Sequence, residues 1–148
     1  MRALVQRVAR AEVRVDGQVV GAIGRGILVL LGVAPEDDAA TARGLARRVV
    51  ELRIHADAEG RTNLALADVG GAALVVSQFT LYADTRRGRR PGFTGAAQPA
   101  HAAAIYDGFC AVLEELDVPT ARGRFGASME VELVNDGPFT LWLDTSDR

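Results

Sequence analysis

The stretch ILVLLGV, residues Ile27–Val33, is apolar without interruption, which is typical of a strand buried on both faces of a sheet. Before it, Ala11–Val15 alternates apolar and charged residues at the period of a half-buried strand. Asp16-Gly17 is a hairpin turn signal, and Val19–Ile23 predicts the returning strand. The chain is therefore predicted to begin as a β-hairpin that leads into a buried strand.

A helix is predicted next, beginning at Pro35–Asp38, where acidic residues complement the helix dipole. It is expected to bury an apolar stripe formed by Ala42, Leu45, Ala46 and Val49. Leu52–Ala56 then predicts a short strand, and Asp57–Gly60 predicts a turn.

The rest of the chain repeats this mixture of strand and helix. Ala72–Val76 predicts a buried strand that runs into Ser77, and a second helix is predicted from Pro99 to about Leu116. At the C-terminus, Met129, Val131 and Leu133 alternate with acidic residues, which predicts a hairpin that turns at Asn135–Pro138 and returns over Phe139–Asp144. We therefore expect a single α+β (α/β) domain over residues 1–148, with a curved, β-barrel-like sheet and two helices.

Composition excludes several kinds of function. All 17 basic residues are Arg, so Schiff-base chemistry and a phosphate-loop Lys are excluded. The net charge of −2 at pH 7 argues against general nucleic-acid affinity, so any RNA contact must be local. No stretch is apolar for long enough to cross a bilayer, and the start of the chain has no signal-peptide pattern. The single cysteine suits a reducing compartment. We expect a cytoplasmic protein without a DNA or membrane partner.

Few residues are suited to conventional catalysis. His55 lies on a strand pattern and His101 in the first turn of a helix, and neither has Cys or carboxylate neighbours at metal-ligand spacing, so no metal site is predicted. No nucleophile elbow or Gly-rich phosphate loop is present, and Cys110 has the apolar neighbours of a core residue. An enzyme of this kind suits an activated ester, which needs positioning, water and backbone N–H groups worth about 10²–10³ in rate each. We expect no cofactor.

The segment Ser77-Gln78-Phe79-Thr80 fits that need and supplies the candidate catalytic residues. A strand that ends inside the sheet can direct backbone amides into a pocket, and Ser77 and Thr80 add hydroxyl groups. Thr80 looks like a nucleophile, but no base is visible for it in the sequence. The alternative is a strand end at which Ser and Thr cap the next turn.

The second segment of interest is Gly137-Pro138. Gly tolerates backbone angles that other residues avoid, and Pro lowers the cost of a cis peptide bond to about 0.5–1 kcal/mol. Rigid carbonyls at this turn can accept hydrogen bonds from a substrate ammonium and exclude one stereoisomer. The alternative is a hairpin turn with a trans proline, and residue chemistry alone favours it.

The basic cluster of the chain is Arg86-Arg87-Gly88-Arg89-Arg90. Four guanidinium groups on a Gly-broken loop can contact RNA phosphates. The alternative is a solvated loop without a partner.

Together these segments resemble the D-aminoacyl-tRNA deacylase family. The joint occurrence of Ser77-Gln78-Phe79-Thr80-Leu81 and Asn135-Asp136-Gly137-Pro138 carries the resemblance, supported by Arg87-Gly88 with Pro91 and Phe93, and by Gly123-Arg124-Phe125. It covers almost the full chain, from Gln6 to Asp144.

The resemblance implies a homodimer with active sites at the interface and D-aminoacyl-tRNA as substrate. Gly137-Pro138 would enter the partner's pocket and reject L-amino acids, while glycine would be admitted. Ser77, Gln78, Phe79 and Thr80 would line the site for the terminal adenosine and the ester. Catalysis would rely on the tRNA's own 2′-hydroxyl. The resemblance further implies substrate-binding roles for three residues, Phe125, Met129 and Arg7, with Arg7 bracing the Gly-Pro loop. The tRNA-binding residues would be Arg86, Arg87, Arg89 and Arg90.

Two residues depart from the family pattern: Phe139 stands where many members carry Val, and Gly92 where many carry Ser. The bulk of Phe139 is expected to tilt the loop or narrow the pocket. Two other functions remain open. One is an RNA-binding module without chemistry that uses the Arg86–Arg90 loop, and the other is a small-molecule hydrolase that uses His55 or His101.

Overall fold

The computed structural model describes residues 1–147, which contain eight strands and two α-helices. The strands are Arg2–Val15 (β1), Gln18–Ile23 (β2), Gly26–Gly32 (β3), His55–Ala56 (β4), Thr62–Leu64 (β5), Ala72–Ser77 (β6), Thr120–Arg122 (β7) and Glu130–Asp144 (β8). The helices are Ala39–Val50 (α1) and Pro99–Glu115 (α2), with short 3₁₀ turns at Ala67–Val69 and Phe79–Tyr82. The predicted α+β class with two helices is confirmed.

One curved sheet organises the fold. Its strand order is β2-β1-β3-β6-β7, and β8 pairs with the other edge of β1. Strand β1 pairs with β3 over residues 2–8 and with β2 over residues 11–15, so it bends from one neighbour to the next. Strand β2 then approaches β7 so closely that a Cβ at Gly21 would lie 2.3 Å from the Arg122 carbonyl oxygen. Glycine at this position therefore lets the sheet nearly close, and the predicted barrel-like shape is confirmed.

The two faces of the sheet bury different apolar clusters. The larger cluster joins one face to both helices and includes Val29, Val75, Leu45 and Phe109. The smaller cluster fills the inside of the curve and includes Leu28 and other buried side chains from β1 and β6. The strand over residues 27–33 therefore buries both faces, as its uninterrupted apolar sequence predicts.

Helix α1 begins slightly later than its acidic residues suggest. Asp38 is the N-cap, because its Oδ1 accepts from the Thr41 N–H at 2.8 Å. Asp37 is instead buried before the helix, where Oδ1 accepts from the Met1 ammonium at 2.7 Å and Oδ2 accepts from the Ala34 N–H at 2.6 Å. One acidic residue caps the helix, and the other fixes the preceding loop. The predicted start at Pro35–Asp38 is therefore corrected to Ala39, and Asp38 is the acidic residue that complements the helix dipole.

Two strand predictions are corrected. Within the predicted strand Leu52–Ala56, only His55–Ala56 pairs, with β5. The predicted C-terminal hairpin is wrong, because β8 runs antiparallel to β1 on both sides of the predicted turn. Asn135 pairs with Val8 and Thr140 with Gln6, so the intervening residues bulge outward from one continuous strand instead of reversing it.

Candidate functional site

A cavity of about 470 Å³ opens where β6 leaves the sheet. Its walls come from the end of β6, from the start of α2 and the segment before it, and from residues 125–131 that lead into β8. The lining residues are Val33, Val76, Ser77, Gln78, Phe79, Phe93, Ala96, Ala97, Gln98, Pro99, Ala102, Phe125, Gly126, Ala127, Met129 and Val131. No lining residue in this described part of the chain has an ionisable side chain.

The segment Ser77–Thr80 forms the polar edge of this cavity. Ser77, Gln78 and Phe79 line it, whereas Thr80 lies outside the lining and its hydroxyl accepts from the Gln78 side-chain amide. The Gln78 backbone N–H donates to Leu31 at 2.8 Å. The backbone bonds within residues 1–147 leave the N–H groups of Phe79 and Thr80 without an acceptor, as expected for the first residues of a 3₁₀ turn. Of the four predicted amides, the Gln78 amide is therefore engaged by the sheet, and the Phe79 and Thr80 amides are free.

A glycine in β3 allows the segment to sit this close to the sheet. A Cβ at Gly32 would lie 3.2 Å from the Gln78 carbonyl oxygen and from Leu81 Cβ, and 3.1 Å from Tyr82 Cε2. These distances are shorter than ordinary carbon contacts, so a side chain here would push the 3₁₀ turn outward. Gly32 therefore positions the free amides.

Two aromatic rings stand at the mouth of the cavity. Phe79 is 54% exposed and packs edge-on against Phe93, with 5.0 Å between ring centroids. Such exposed rings offer a flat apolar surface to a planar ligand. The opposite wall contains Phe125, which is 6.1 Å from the buried Tyr106 ring, and Met129. The predicted substrate-binding residues Phe125 and Met129 therefore lie in the same cavity as the Ser77 segment.

The basic loop joins the cavity mouth through Phe93. Two backbone hydrogen bonds between Asp84 and Gly92, of 2.7 and 2.9 Å, close the loop at its base. Asp84 also accepts from the Arg86 side chain at 2.8 and 2.9 Å, and these bonds hold the pKa of the carboxyl well below its usual range. The remaining guanidinium groups of the loop belong to Arg87, Arg89 and Arg90, and all three residues are exposed. Arg86 is therefore largely neutralised within the loop.

The Gly-Pro segment forms a separate feature on β8. Gly137 and Pro138 are exposed, and the peptide bond between them is cis. The Arg7 side chain, on β1, hydrogen-bonds to this segment. Its Nε donates to the Asp136 carbonyl oxygen at 2.9 Å, and its Nη2 donates to the Gly137 carbonyl oxygen at 3.0 Å. Asn135 closes the base of the bulge, because its side-chain amide donates to the backbone oxygens of Arg7 and Phe139.

Within the chain, the segments Ser77–Thr80 and Gly137-Pro138 do not share a site. Neither Gly137, Pro138 nor Arg7 lines the cavity that Ser77 and Phe79 line. Phe139 does not line this cavity either. Its half-buried side chain packs against the large core, so its bulk does not narrow the cavity of its own chain.

The remaining candidates for catalysis are buried or engaged. His55 is 1% exposed, and burial together with Arg25 and Arg7 lowers its pKa. His101 Nε2 lies 2.8 Å from the Asp37 carbonyl oxygen. Burial raises the pKa of the Cys110 thiol to about 11, which keeps it protonated at neutral pH. None of these residues lines the cavity.

Residues 1–147 contain no group of three or more His, Cys, Asp or Glu side chains that could hold a metal ion. Neither described helix is both long enough and apolar enough to cross a membrane.

Sequence reasoning missed part of the cavity. The wall formed by Ala96, Gln98 and Ala102 had no recognisable motif, although the proline that begins α2 marks its position. Gly32 was also missed as a site residue, since its importance depends on a contact with a segment distant in sequence.

Known proteins with the same sequence pattern place the chain in one family. The family model for D-Tyr-tRNA(Tyr) deacylase matches residues 4–144. A D-aminoacyl-tRNA deacylase of Anaeromyxobacter dehalogenans is 60% identical over 98% of this chain and 97% of its own length. A second, of Chloroflexus aurantiacus, is 58% identical over 99% of this chain and 92% of its own length.

Solved structures agree on the fold. One described as c-Myc DNA Unwinding Element Binding Protein superposes with a TM-score of 0.92 at 38% identity and covers 98% of this chain and 99% of its own. Another, described as a probable eukaryotic D-amino acid tRNA deacylase, gives 0.81 at 20% identity and covers 96% and 97%, which shows the fold alone. With full-length family coverage and close curated relatives, this chain belongs to the D-Tyr-tRNA(Tyr) deacylase family and is by class an aminoacyl-tRNA deacylase.

Proposed function

We propose that the chain hydrolyses the ester bond of D-aminoacyl-tRNA at the Ser77-lined cavity, releasing a free D-amino acid and tRNA. The observation that carries the proposal is a cavity without an ionisable side chain in its lining, with the free backbone N–H group of Phe79 at its edge and that of Thr80 directly after it in the chain. A site of this kind can stabilise an oxyanion but supplies no side-chain base. It therefore suits an ester that is already activated and a proton acceptor that belongs to the substrate.

The terminal ribose provides that acceptor. Its 2′-hydroxyl lies beside the esterified 3′-oxygen and orients the attacking water, takes a proton from it and passes its own proton to O3′. The water oxygen bonds to the carbonyl carbon, the bond from this carbon to O3′ breaks, and O3′ leaves with a proton. The amides of Phe79 and Thr80 donate to the carbonyl oxygen as it becomes negative, at about 10²–10³ in rate for each donor. Thr80 acts through its backbone, since its hydroxyl is engaged by Gln78.

The Gly137-Pro138 segment provides chiral selection from the partner subunit. Its exposure leaves it available to a second copy, and its separation from the cavity within one chain supports a site that is completed across an interface. A carbonyl oxygen has two lone pairs, so Gly137 can accept from a substrate ammonium while also accepting from Arg7. An L-side chain would collide with this backbone, whereas glycine would pass, so glycine mischarged on tRNA(Ala) is also a substrate.

Homodimerisation through β8 is supported by two properties of that strand. Strand β8 pairs only with β1 within the described sheet, so its other edge is available. It also carries two exposed large apolar side chains, Val134 and Trp142, which are 43% and 48% exposed. An interface along β8 would cover both and place the bulge against the partner.

Mixing two defective subunits tests the composite site. Gly137→Ala damages the inserted segment, and Ala127→Trp fills the cavity, so each homodimer is expected to lose at least about tenfold in rate. Random co-assembly should restore about a quarter of the wild-type rate, because about half of the dimers carry one intact composite site. No restoration, with mixed dimers verified by mass spectrometry, would place both signatures in the same subunit.

The exposed arginines of the basic loop are proposed to contact tRNA phosphates. The loop is anchored beside the cavity through Phe93, so its charges lie close to where the terminal adenosine would bind. Arg87, Arg89 and Arg90 are the effective groups, and Arg86 contributes less because Asp84 already binds its side chain. Since the substrate is charged tRNA, we place the protein in the cytoplasm.

The decisive assay compares release of tyrosine from D-Tyr-tRNA and L-Tyr-tRNA by the purified protein. Rapid release from the D form alone is expected. A D-Tyr-tRNA that ends in 2′-deoxyadenosine should lose at least about 10²-fold in rate if the 2′-hydroxyl is required. Binding without release from either isomer would instead support the RNA-binding module, and unchanged hydrolysis of the deoxy substrate would refute the assisted mechanism.

A further inference from the structure

The Arg7 guanidinium is held by more than its hydrogen bonds. Its three nitrogens donate to three backbone oxygens: Nε to Asp136 at 2.9 Å, Nη2 to Gly137 at 3.0 Å and Nη1 to Ile54 at 2.5 Å. These bonds lie around the edge of the planar group and leave its faces free. The guanidinium carbon stands 4.7 Å from the centroid of the Phe139 ring, so this ring covers one face.

We propose that Phe139 is a positioning residue that fixes the Gly137 carbonyl through Arg7. The proposal rests on the proposed role of Gly137-Pro138 in chiral selection, and it adds a second residue on which that selection depends. Phe139 reaches the substrate only indirectly, because its ring packs into its own subunit.

The position of Phe139 suits this role for two reasons. Its ring packs against the large core, so the surface that it offers to Arg7 is fixed by the body of the subunit. Its carbonyl oxygen accepts from Asn135 at 3.1 Å, and the same amide donates to the Arg7 carbonyl at 2.9 Å. Side chain and main chain of Phe139 therefore both connect the bulge to β1.

The ring also excludes water from the guanidinium. The Arg7 side chain is only 12% exposed, although it reaches a bulge whose Asp136 side chain is 54% exposed. A hydrogen bond is stronger where water competes less for its donor. Without the aromatic face, Arg7 would gain water and rotamer freedom, and the Gly137 carbonyl would lose its fixed direction. The direction of this carbonyl matters more for discrimination between D- and L-substrates than for the rate at which the D-substrate is hydrolysed.

The test uses three variants and two substrates. Phe139→Leu keeps an apolar side chain but removes the aromatic face, and Phe139→Tyr restores it. Leu141→Val is the matched control, since Leu141 lies on the same strand and packs against the same core, but pairs with Val5 of β1 and provides no aromatic face for Arg7. We expect Phe139→Leu to lower the ratio of D-Tyr-tRNA to L-Tyr-tRNA kcat/KM by about fivefold. Phe139→Tyr should restore the ratio, and Leu141→Val should leave it intact even if the melting temperature falls.

A second measurement identifies the route through Arg7. In an Arg7→Lys background, which keeps the charge but loses the planar fork, Phe139→Leu should have no further effect on the ratio. In NMR spectra, the Arg7 Nε–H should exchange faster with solvent in Phe139→Leu than in the wild type or in Leu141→Val. An unchanged ratio in Phe139→Leu, or equal losses in Phe139→Leu and Leu141→Val, would overturn the proposal.

Gly137→Ala separates this proposal from the function on which it rests. If Gly137→Ala alters the ratio and Phe139→Leu does not, chiral selection stands and the role of Phe139 is refuted. If neither variant alters the ratio, selection does not use this segment, and both are refuted.

Discussion

Replacement of Gly137 by alanine is the most informative single change, because it separates folding from activity. Within its own subunit, a Cβ at Gly137 would meet only Asn135 Oδ1, at an ordinary 3.9 Å, and the φ angle lies outside the left-handed region. Alanine therefore fits the folded subunit. Reduced freedom of the unfolded chain stabilises such a variant by about 0.4–1 kcal/mol, so the melting temperature should hold or rise by about 1–4 °C.

Activity should respond in the opposite direction. If the Gly137 carbonyl accepts from the substrate ammonium in the partner's cavity, an added methyl separates the two groups and weakens a charged hydrogen bond. Such a bond contributes about 1.5–3 kcal/mol, so kcat/KM for D-Tyr-tRNA should fall by about 10- to 100-fold. Amino-acid release, a thermal melt and light scattering should be measured on one preparation. A rate within about twofold of wild type, from a protein of normal stability and unchanged oligomeric state, would refute the assignment of Gly137 to the site.

Three further predictions follow from single residues. Gly32→Ala should displace the 3₁₀ turn and abolish deacylation. It should also lower the free energy of unfolding by about 1–3 kcal/mol in a urea titration. A fully active variant would show that the free amides are dispensable. Arg87→Ala should reduce the slope of log tRNA affinity against log salt concentration by about 0.7–0.9. Arg86→Ala should change this slope less, because the Arg86 side chain is already paired with Asp84. Equal slopes for both variants would argue against the loop as a tRNA contact. Burial lowers the pKa of His55 in the folded state. Above the ordinary histidine pKa of about 6.5, His55 is neutral in both states and costs no stability. As pH falls below that value, the unfolded state binds the proton more readily, so the free energy of unfolding decreases. Urea unfolding at pH 7.5 and 5.5 should show this loss, and His55→Gln should reduce it.

The fold was predictable where a local pattern has only one tertiary meaning. The apolar run Ile27–Val33 predicted a strand buried on both faces, and the helix beginning at Pro99 was predicted to within one residue of its end. The C-terminal error has a physical origin. A Gly-Pro pair between two alternating segments gives the same local pattern in a tight turn and in a bulge. Only the pairing of both segments with β1, up to 142 positions away in sequence, distinguishes them.

The site was predictable in part. The Ser77–Thr80 segment was located from its residue types and from the strand before it, but side-chain identity does not show which backbone amides are free. The register of β6 against β3 decides that, because it places the Leu31 carbonyl where it accepts from Gln78. The contact between Arg7 and the Gly-Pro segment likewise depends on pairing between opposite ends of the chain.

Under the proposed function, the apolar lining of the cavity explains how the protein could discriminate D- from L-substrates without recognising a particular side chain. An apolar pocket distinguishes substrates that differ by a methylene by only about 1–3 kcal/mol, and this cavity has no ionisable group to favour one amino acid. Strict discrimination must then come from exclusion, which needs a rigid element at the Cα of the substrate. Gly137 is suited to that position because it has no side chain, and its carbonyl is held by Arg7 from β1. Selectivity should therefore be more sensitive to changes at Arg7 and Phe139 than to conservative changes in the apolar walls of the cavity.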